Sequence, residues 1–307
     1  MRTPVLVDCD PGIDDAIALL LALASPELDV LGVTTVAGNQ TLEKTTANAL
    51  RVLEAANRAD VPVAAGADRP LVRELVVAAA HGDSGLGDLP LPPPRARAVA
   101  EHAVDLLART ALESDSPVTL IALGPLTNVA LLLALRPGAA EALDAVVFMG
   151  GAIAGGNMTA VAEFNVWVDP EAAARVLASG LDVTMVGLDV TLRARMTSRE
   201  VERLGSGRAA CFVRGLYASF ARAYAAFSSD EGAPVHDAVA VAHAVRPDLL
   251  TLAPAHVAVE RGSPVGRGQT VVDLRARSAM DSNARVAVDI DVGRSLELLV
   301  ARISALP

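Results

Sequence analysis

Four carboxylates, Asp8, Asp10, Asp14 and Asp15, fall within eight residues near the amino terminus. The apolar run Val5–Val7 precedes them and the Ala/Leu-rich stretch Ile17–Ala24 follows, a composition that favours helix. Acidic groups wedged between two buried elements repel one another and lose hydration, costs that a cation or a ring of hydroxyl donors would relieve. The stretch therefore reads as a strand, a sharp Pro11-Gly12 turn and a helix amino terminus. Such a turn suits a hard metal ion with oxygen ligands, Ca²⁺ before others. The plainer alternative is a helix N-cap at Asp10 or Asp14 with an acid in the first turn. One aspartate fits that alternative well; four fit it poorly.

Other candidates lie further along. Asn39 ends the run Val36–Gly38, as a turn residue or as a ligand contact. In Gly124-Pro125-Leu126-Thr127-Asn128, Thr127 or Asn128 can simply cap the next helix, while the Leu123 carbonyl is a possible metal ligand. Met149-Gly150-Gly151 and Gly155-Gly156-Asn157 lack the spacing of phosphate-binding loops and suit close approach of backbone to a small polyol. Glu163 and Asn165 share one face of an extended segment; alternatively they form a polar turn before Pro170, with Trp167 as core. His236-Asp237 opens a helix, where the dipole disfavours a protonated imidazole. Beside a metal-binding aspartate this pair is a possible acid/base unit, although such pairs are more often structural. His81 opens the glycine-rich stretch His81–Gly87, expected to be a mobile, solvated loop.

The elements that must position these residues alternate regularly. Strands are expected at Val5–Asp8, Val30–Val36, Val61–Ala64, Val118–Ala122, Ala145–Met149 and Val183–Val186. Helices are expected at Asp14–Ala24, Leu42–Arg58, Glu101–Glu113, Asn128–Leu135 and Pro170–Ser179. Continuously apolar strands belong to a parallel sheet covered on both faces, with right-handed crossovers. The fold class is α/β: an open, mostly parallel, doubly wound, Rossmann-like sheet. After about residue 190 come extra helices near Ser198–Leu204 and Ala209–Ala226 and one starting at His236, strands near Leu252–Val259, Thr270–Leu274 and Ala284–Asp289, and a terminal helix over Gly293–Ile303. With no long linker and no repeat, residues 1–307 read as one domain. Ligands of such sheets bind beyond the carboxyl ends of the strands, where the candidates above collect.

The totals set limits. Over 307 residues, 52% are apolar and only 3% aromatic, so the core is built from Ala, Val and Leu. A net charge of −10 argues against nucleic acid or an anionic membrane as partner. Cys9 and Cys211 have no metal spacing and fit a reducing compartment. Without a leader-like or membrane-length apolar run, a cytoplasmic protein is expected.

Together these segments resemble the inosine–uridine-preferring nucleoside hydrolase family. The match rests on Asp8-Cys9-Asp10-Pro11-Gly12-Ile13-Asp14-Asp15-Ala16, Gly38-Asn39, His81-Gly82, Gly124–Asn128, Met149–Gly151, Ala162–Asn165 and Pro234–Asp237, and spans nearly the whole chain. The resemblance implies a nucleoside hydrolase fold and hydrolysis of the N-glycosidic bond of a ribonucleoside to base and ribose. It implies Ca²⁺ held by Asp10, Asp15, Asp237 and the carbonyl of Leu123, with Asp10 as general base for the attacking water. Asp14, Asn39 and Asn165 correspond to ribose-hydroxyl contacts, Asn157 and Glu163 to the 5′-hydroxyl side, and Met149 to the sugar lining. His236 is the implied leaving-group acid, with His81 assisting at the base. The family also implies a homodimer or homotetramer. Trp167 lies beside the ribose motif rather than where purine-selective members stack the base, and His81 and His236 fit the broader inosine–uridine type, which leaves both purine and pyrimidine bases open. Tyr217, Phe220, Tyr224 and Phe227 are expected to wall the base.

Independently of the family, the chemistry is coherent. C1′ becomes oxocarbenium-like as the base leaves, and a carboxylate-rich pocket stabilises that charge. Two rivals remain. A Mg²⁺-dependent aspartate-nucleophile phosphohydrolase would need a later lysine against phosphate, yet the single lysine, Lys44, sits in a predicted helix. A non-catalytic nucleoside- or ribose-binding protein would need no general base beside its ligand.

Overall fold

A computed structural model describes residues 2–225, 230–275 and 278–307. The strands are β1 (Thr3–Cys9), β2 (Leu28–Thr35), β3 (Val63–Ala65), β4 (Val118–Ala122), β5 (Leu143–Met149), β6 (Val183–Val186), β7 (Arg195–Met196), β8 (Ala233–Pro234), β9 (Leu250–Val259), β10 (Thr270–Asp273) and β11 (Ala284–Ile290). Nine of them form one sheet in the order β10-β9-β11-β6-β5-β4-β1-β2-β3. From β11 through β3 the pairing is parallel; β9 joins β11 and β10 antiparallel. The expected fold class therefore holds, with the late strands forming an antiparallel edge. The short β7–β8 ladder stands apart.

Alternation along β1 shows how the sheet is covered. Val5, Val7 and Cys9 enter one apolar cluster with the helices Ile13–Ala24, Arg208–Ala225 and His236–Val245. Leu6 enters the other, with Ala103–Glu113, Thr127–Leu135 and Pro170–Leu177. Both faces of the sheet are dry, which is why its strands read as unbroken apolar runs. The Ile13–Ala24 helix is buried over nearly its whole length because it lies between the sheet and a second helix layer.

Sequence order runs outward from β1 through β2 to β3, then resumes at β4 on the other side of β1. This reversal leaves a crevice between the loops that follow β1 and β4, the switch point where open α/β sheets take ligands. Asp10 and Leu123 flank it. Among the described residues, no helix is long and apolar enough to cross a membrane.

Three differences from the sequence-based expectation bear on the site. Phe164–Val168 is a short helix rather than an extended face, because Glu163 caps it by accepting from the backbone N–H groups of Asn165 and Val166. A one-turn helix, Leu188–Thr191, follows β6 with no sequence signal of its own. The His81–Gly87 loop is tied down: Gln40 donates to the Gly82 carbonyl at 3.0 Å and Asn48 to that of Ser84 at 2.9 Å.

Candidate active site

Strand β1 delivers Asp8 and Asp10, and the helix that follows carries Asp14 and Asp15 in its first turn. Asp15 organises the turn. Its carboxylate accepts from the backbone of Asp10 at 3.2 Å, from Gly12 at 2.9 Å and from the Asn39 amide at 2.9 Å. Asp10 accepts from the Asn39 backbone at 2.6 Å through Oδ2, while its buried Oδ1 has no hydrogen-bond partner. Asp14 Oδ1 is likewise buried and unpartnered. Glycine is required around Asp10: a Cβ on Gly38 would stand 2.2 Å from Oδ2, and one on Gly124 2.5 Å from Oδ1.

Asp237 arrives from the distant helix His236–Val245, which packs across the Ile13–Ala24 helix. Carboxylate oxygens of Asp14, Asp15 and Asp237 converge to within 4.8 Å of one another. Asp10 stands beside this trio, with its carboxyl in hydrogen-bonding reach of Asp15. Burial, and then the neighbouring carboxylates, push Asp10, Asp14 and Asp237 well above the usual carboxylate range. Burial also raises Asp15, against the backbone N–H groups it accepts from. Crowded acids with orphaned oxygens fit a hard divalent cation, which prefers several oxygen ligands. The Leu123 carbonyl accepts from the Asn165 amide at 2.6 Å.

Below the crevice, Asp8 is fully buried and pushed up to about 7 by that burial, in spite of bonds from Thr34 and Asn128. Asn128 reaches it at 2.8 Å, and also bonds Thr35 and Ala67 of neighbouring loops. It is thus a tie between strand ends more than a helix cap.

On the opposite wall Asn165 donates to the Met149 carbonyl at 3.1 Å, and Glu163 accepts from Gly151 at 3.0 Å. These bonds hold the Met149–Gly151 turn against the helix Phe164–Val168. Asn157 is exposed, and its side-chain oxygen accepts from Phe164 N–H at 2.9 Å. Of the expected sugar contacts, Asp14, Asn39, Met149, Glu163 and Asn165 are buried around the crevice, whereas Asn157 lies at its outer rim.

A row of rings closes the site. His81 accepts from Ile13 N–H through Nδ1 at 3.1 Å, so its Nε2 faces Asp14, 3.9 Å away. Phe220 stacks on His81 at 6.3 Å and meets Tyr224 edge-on at 5.1 Å. Tyr224 Oη lies 3.0 Å from His236 Nε2, and Thr191 Oγ1 lies 2.8 Å from His236 Nδ1. Burial pushes His81 down to about 4 and His236 to about 3, so both imidazoles are neutral near pH 7. Among the described residues Tyr217 has no ring contact with this row, and Phe227 falls outside the described residues. The Tyr224 and Thr191 contacts had no sequence signal beyond an aromatic run, since both depend on elements far apart in the chain.

Acidic, desolvated and rimmed with amide donors, the crevice has the chemistry of a hydrolase for a small hydroxylated substrate. The chain belongs to the inosine-uridine preferring nucleoside hydrolase family, whose sequence model matches residues 5–297. It is 44% identical over 310 aligned residues to the pyrimidine-specific ribonucleoside hydrolase RihA of Salmonella gallinarum, covering 99% of each chain. Among solved structures, a plant nucleoside hydrolase superposes with a TM-score of 0.93 at 32% identity, covering 99% of this chain and 100% of the other. A purine-preferring ribonucleoside hydrolase from Gardnerella vaginalis gives 0.92 at 32% identity, covering 99% of each.

Proposed function

We propose that this nucleoside hydrolase cleaves the N-glycosidic bond of pyrimidine ribonucleosides, uridine and cytidine ahead of inosine, to free base and ribose. The observation that carries the reading is the buried convergence of Asp14, Asp15 and Asp237 beside the unpartnered Asp10 Oδ1. The pyrimidine preference is supported by the 44% identity to a relative named for it, against 32% to a purine-preferring enzyme.

Asp10, Asp15 and Asp237, with the Leu123 carbonyl and Asp14 adjoining, would hold Ca²⁺. When bound, the ion supplies a positioned water of lowered pKa and a positive charge against the ribose hydroxyls. Asp10 takes a proton from the attacking water through its unpartnered Oδ1. Asp14 and Asn39 bind ribose hydroxyls, while Glu163 and Asn165 fix the wall that receives the 5′ side, with Met149 beneath the sugar and Asn157 at the rim. The surrounding carboxylates stabilise the positive charge that develops at C1′. At the far wall the proton for the departing base comes from Tyr224 rather than from His236 as the sequence suggested, because both His236 ring nitrogens are engaged, by Tyr224 and Thr191, and burial lowers its proton affinity; His81 Nε2 faces Asp14 nearby.

The arrangement draws on residues from Asp10 to Asp237 around one nine-stranded sheet, which supports a single domain. A non-catalytic binding role is disfavoured by the buried, unpartnered Asp10 oxygen, which binding alone does not require. The test is release of reducing sugar from uridine, cytidine, inosine and adenosine with Ca²⁺ and with a chelator. Ribose release that is greatest from uridine or cytidine and lost on chelation is expected. No release from any nucleoside would refute the reading, and inosine as best substrate would refute the base preference.

A further inference from the structure

Thr191 closes the one-turn helix Leu188–Thr191 and is fully buried. Its hydroxyl stands 2.8 Å from His236 Nδ1, and the other ring nitrogen, Nε2, stands 3.0 Å from the Tyr224 hydroxyl. We propose that Thr191 is a positioning residue that sets the direction of this row: it donates to Nδ1, places the His236 proton on Nε2, and so frees the Tyr224 hydrogen for the departing base. The inference rests on the nucleoside hydrolase reading above.

The direction follows from counting donors. A neutral imidazole has one N–H and one lone pair, so the row can run only two ways. If Nδ1–H donates to Thr191, the Tyr224 hydroxyl must donate inward to Nε2. The buried Thr191 hydrogen is then left over, for Thr191 has no other side-chain partner among the described residues. If Thr191 donates instead, its hydrogen, the Nδ1 lone pair, the Nε2 hydrogen and the Tyr224 oxygen are all paired. The single hydrogen left over is the phenol's, on a partly buried side chain that burial, and then the charges of Asp14 and Asp237, keep un-ionised in the resting site. Buried donors are rarely left unpaired, whereas a hydrogen facing the crevice can be met by water or substrate. The second direction is therefore the stable one.

Its chemistry balances. The C1′–N bond breaks with its electron pair going to the base, and the Tyr224 O–H proton passes to that base. The phenolate left behind is held by the His236 Nε2–H, and His236 itself stays neutral. Water oxygen bonds to C1′, Asp10 takes the water's proton, and solvent exchange returns a proton to Tyr224.

Thr191→Val keeps the shape of the side chain and removes the donor; Thr191→Ser keeps the donor. The comparison is kcat on uridine against kcat on 4-nitrophenyl β-D-ribofuranoside, whose phenolate leaves without protonation. Thr191→Val is expected to lower kcat on uridine roughly 10- to 100-fold and to change the aryl riboside rate by less than about threefold. Thr191→Ser is expected to restore uridine turnover. A Thr191→Val enzyme with unchanged uridine kcat, or one that loses both substrates equally, overturns the inference. So does a ¹⁵N spectrum placing the His236 proton on Nδ1 in the wild type. Wild-type protein that cleaves neither substrate overturns the hydrolase reading, and the inference falls with it.

Discussion

Gly38→Ala should disable the site through one methyl group. A Cβ at this position would lie 2.2 Å from Asp10 Oδ2, 2.7 Å from Pro125 Cδ and 2.9 Å from Pro125 Cγ, where ordinary contact begins at 3.4 Å. The carboxylate must therefore retreat by more than an ångström, because the proline ring leaves the new methyl no room on its other side. That retreat breaks the 2.6 Å bond from the Asn39 backbone, a charged hydrogen bond worth about 1.5–3 kcal/mol. Residual overpacking adds about 1–3 kcal/mol. A total near 4 kcal/mol, divided by an unfolding entropy of about 0.6 kcal/mol/K for 307 residues, lowers Tm by about 6–7 °C. Displacing a general base by about 1 Å costs roughly 100-fold in kcat. The assays are uridine turnover and thermal unfolding, with Gly138→Ala as control. Nothing lies within 4 Å of a Cβ on Gly138, and in the helix Pro137–Glu141 alanine should be neutral or slightly stabilising. Uridine kcat within about twofold of wild type in Gly38→Ala would refute this account of the Asp10 cradle.

Chelation should lower Tm by about 4 °C if Ca²⁺ was present at roughly 100 times its Kd, and Asp237→Asn should abolish that response; an unchanged wild-type Tm in calorimetry would count against the cation site. Asn128→Ala leaves the Ala67 N–H unpaired and removes donors from Asp8 and from the Thr35 carbonyl, which keeps its bond from the Gly66 N–H, so urea unfolding should show a loss of about 2 kcal/mol. A loss below about 1 kcal/mol would show that these strand ends hold without it. His243 is buried with an unpartnered Nδ1, and burial followed by the Arg285 charge pushes its pKa down. The folded form thus binds its proton less readily than the unfolded chain, so its contribution is intact above the ordinary histidine value and is lost as pH falls through about 6.5. His243→Gln should therefore flatten the stability profile between pH 7 and pH 5, as followed by chemical unfolding; an unaltered slope would refute this.

The Asp8–Asp15 stretch shows what was legible from order alone. A strand, a tight turn and a helix with acids in its first turn are local events, dictated by β-branched residues, Pro11-Gly12 and the run of Ala and Leu. The parallel sheet was legible for the same reason, since strands dry on both faces must be apolar throughout. Local sequence even marked where ligands collect, because each candidate loop follows an apolar strand. It misjudged Phe164–Val168 because the cap that makes a helix there, Glu163, takes its third bond from Gly151, twelve residues earlier.

The type of chemistry was thus determined by the sequence: clustered carboxylates, amide donors and neutral imidazoles, in an order that marks the family. Tertiary structure decided how those groups divide the work. Asp14 joins Asp15 and Asp237 because helix packing brings an element some 220 residues distant across the first helix. Asn128 became a tie between strand ends, and Thr191 and Tyr224 came to bracket His236. Hydrogen-bond direction and the crowding of charge depend on ångström-scale distances between remote segments, and those distances arise only when the two layers of helices close on the sheet.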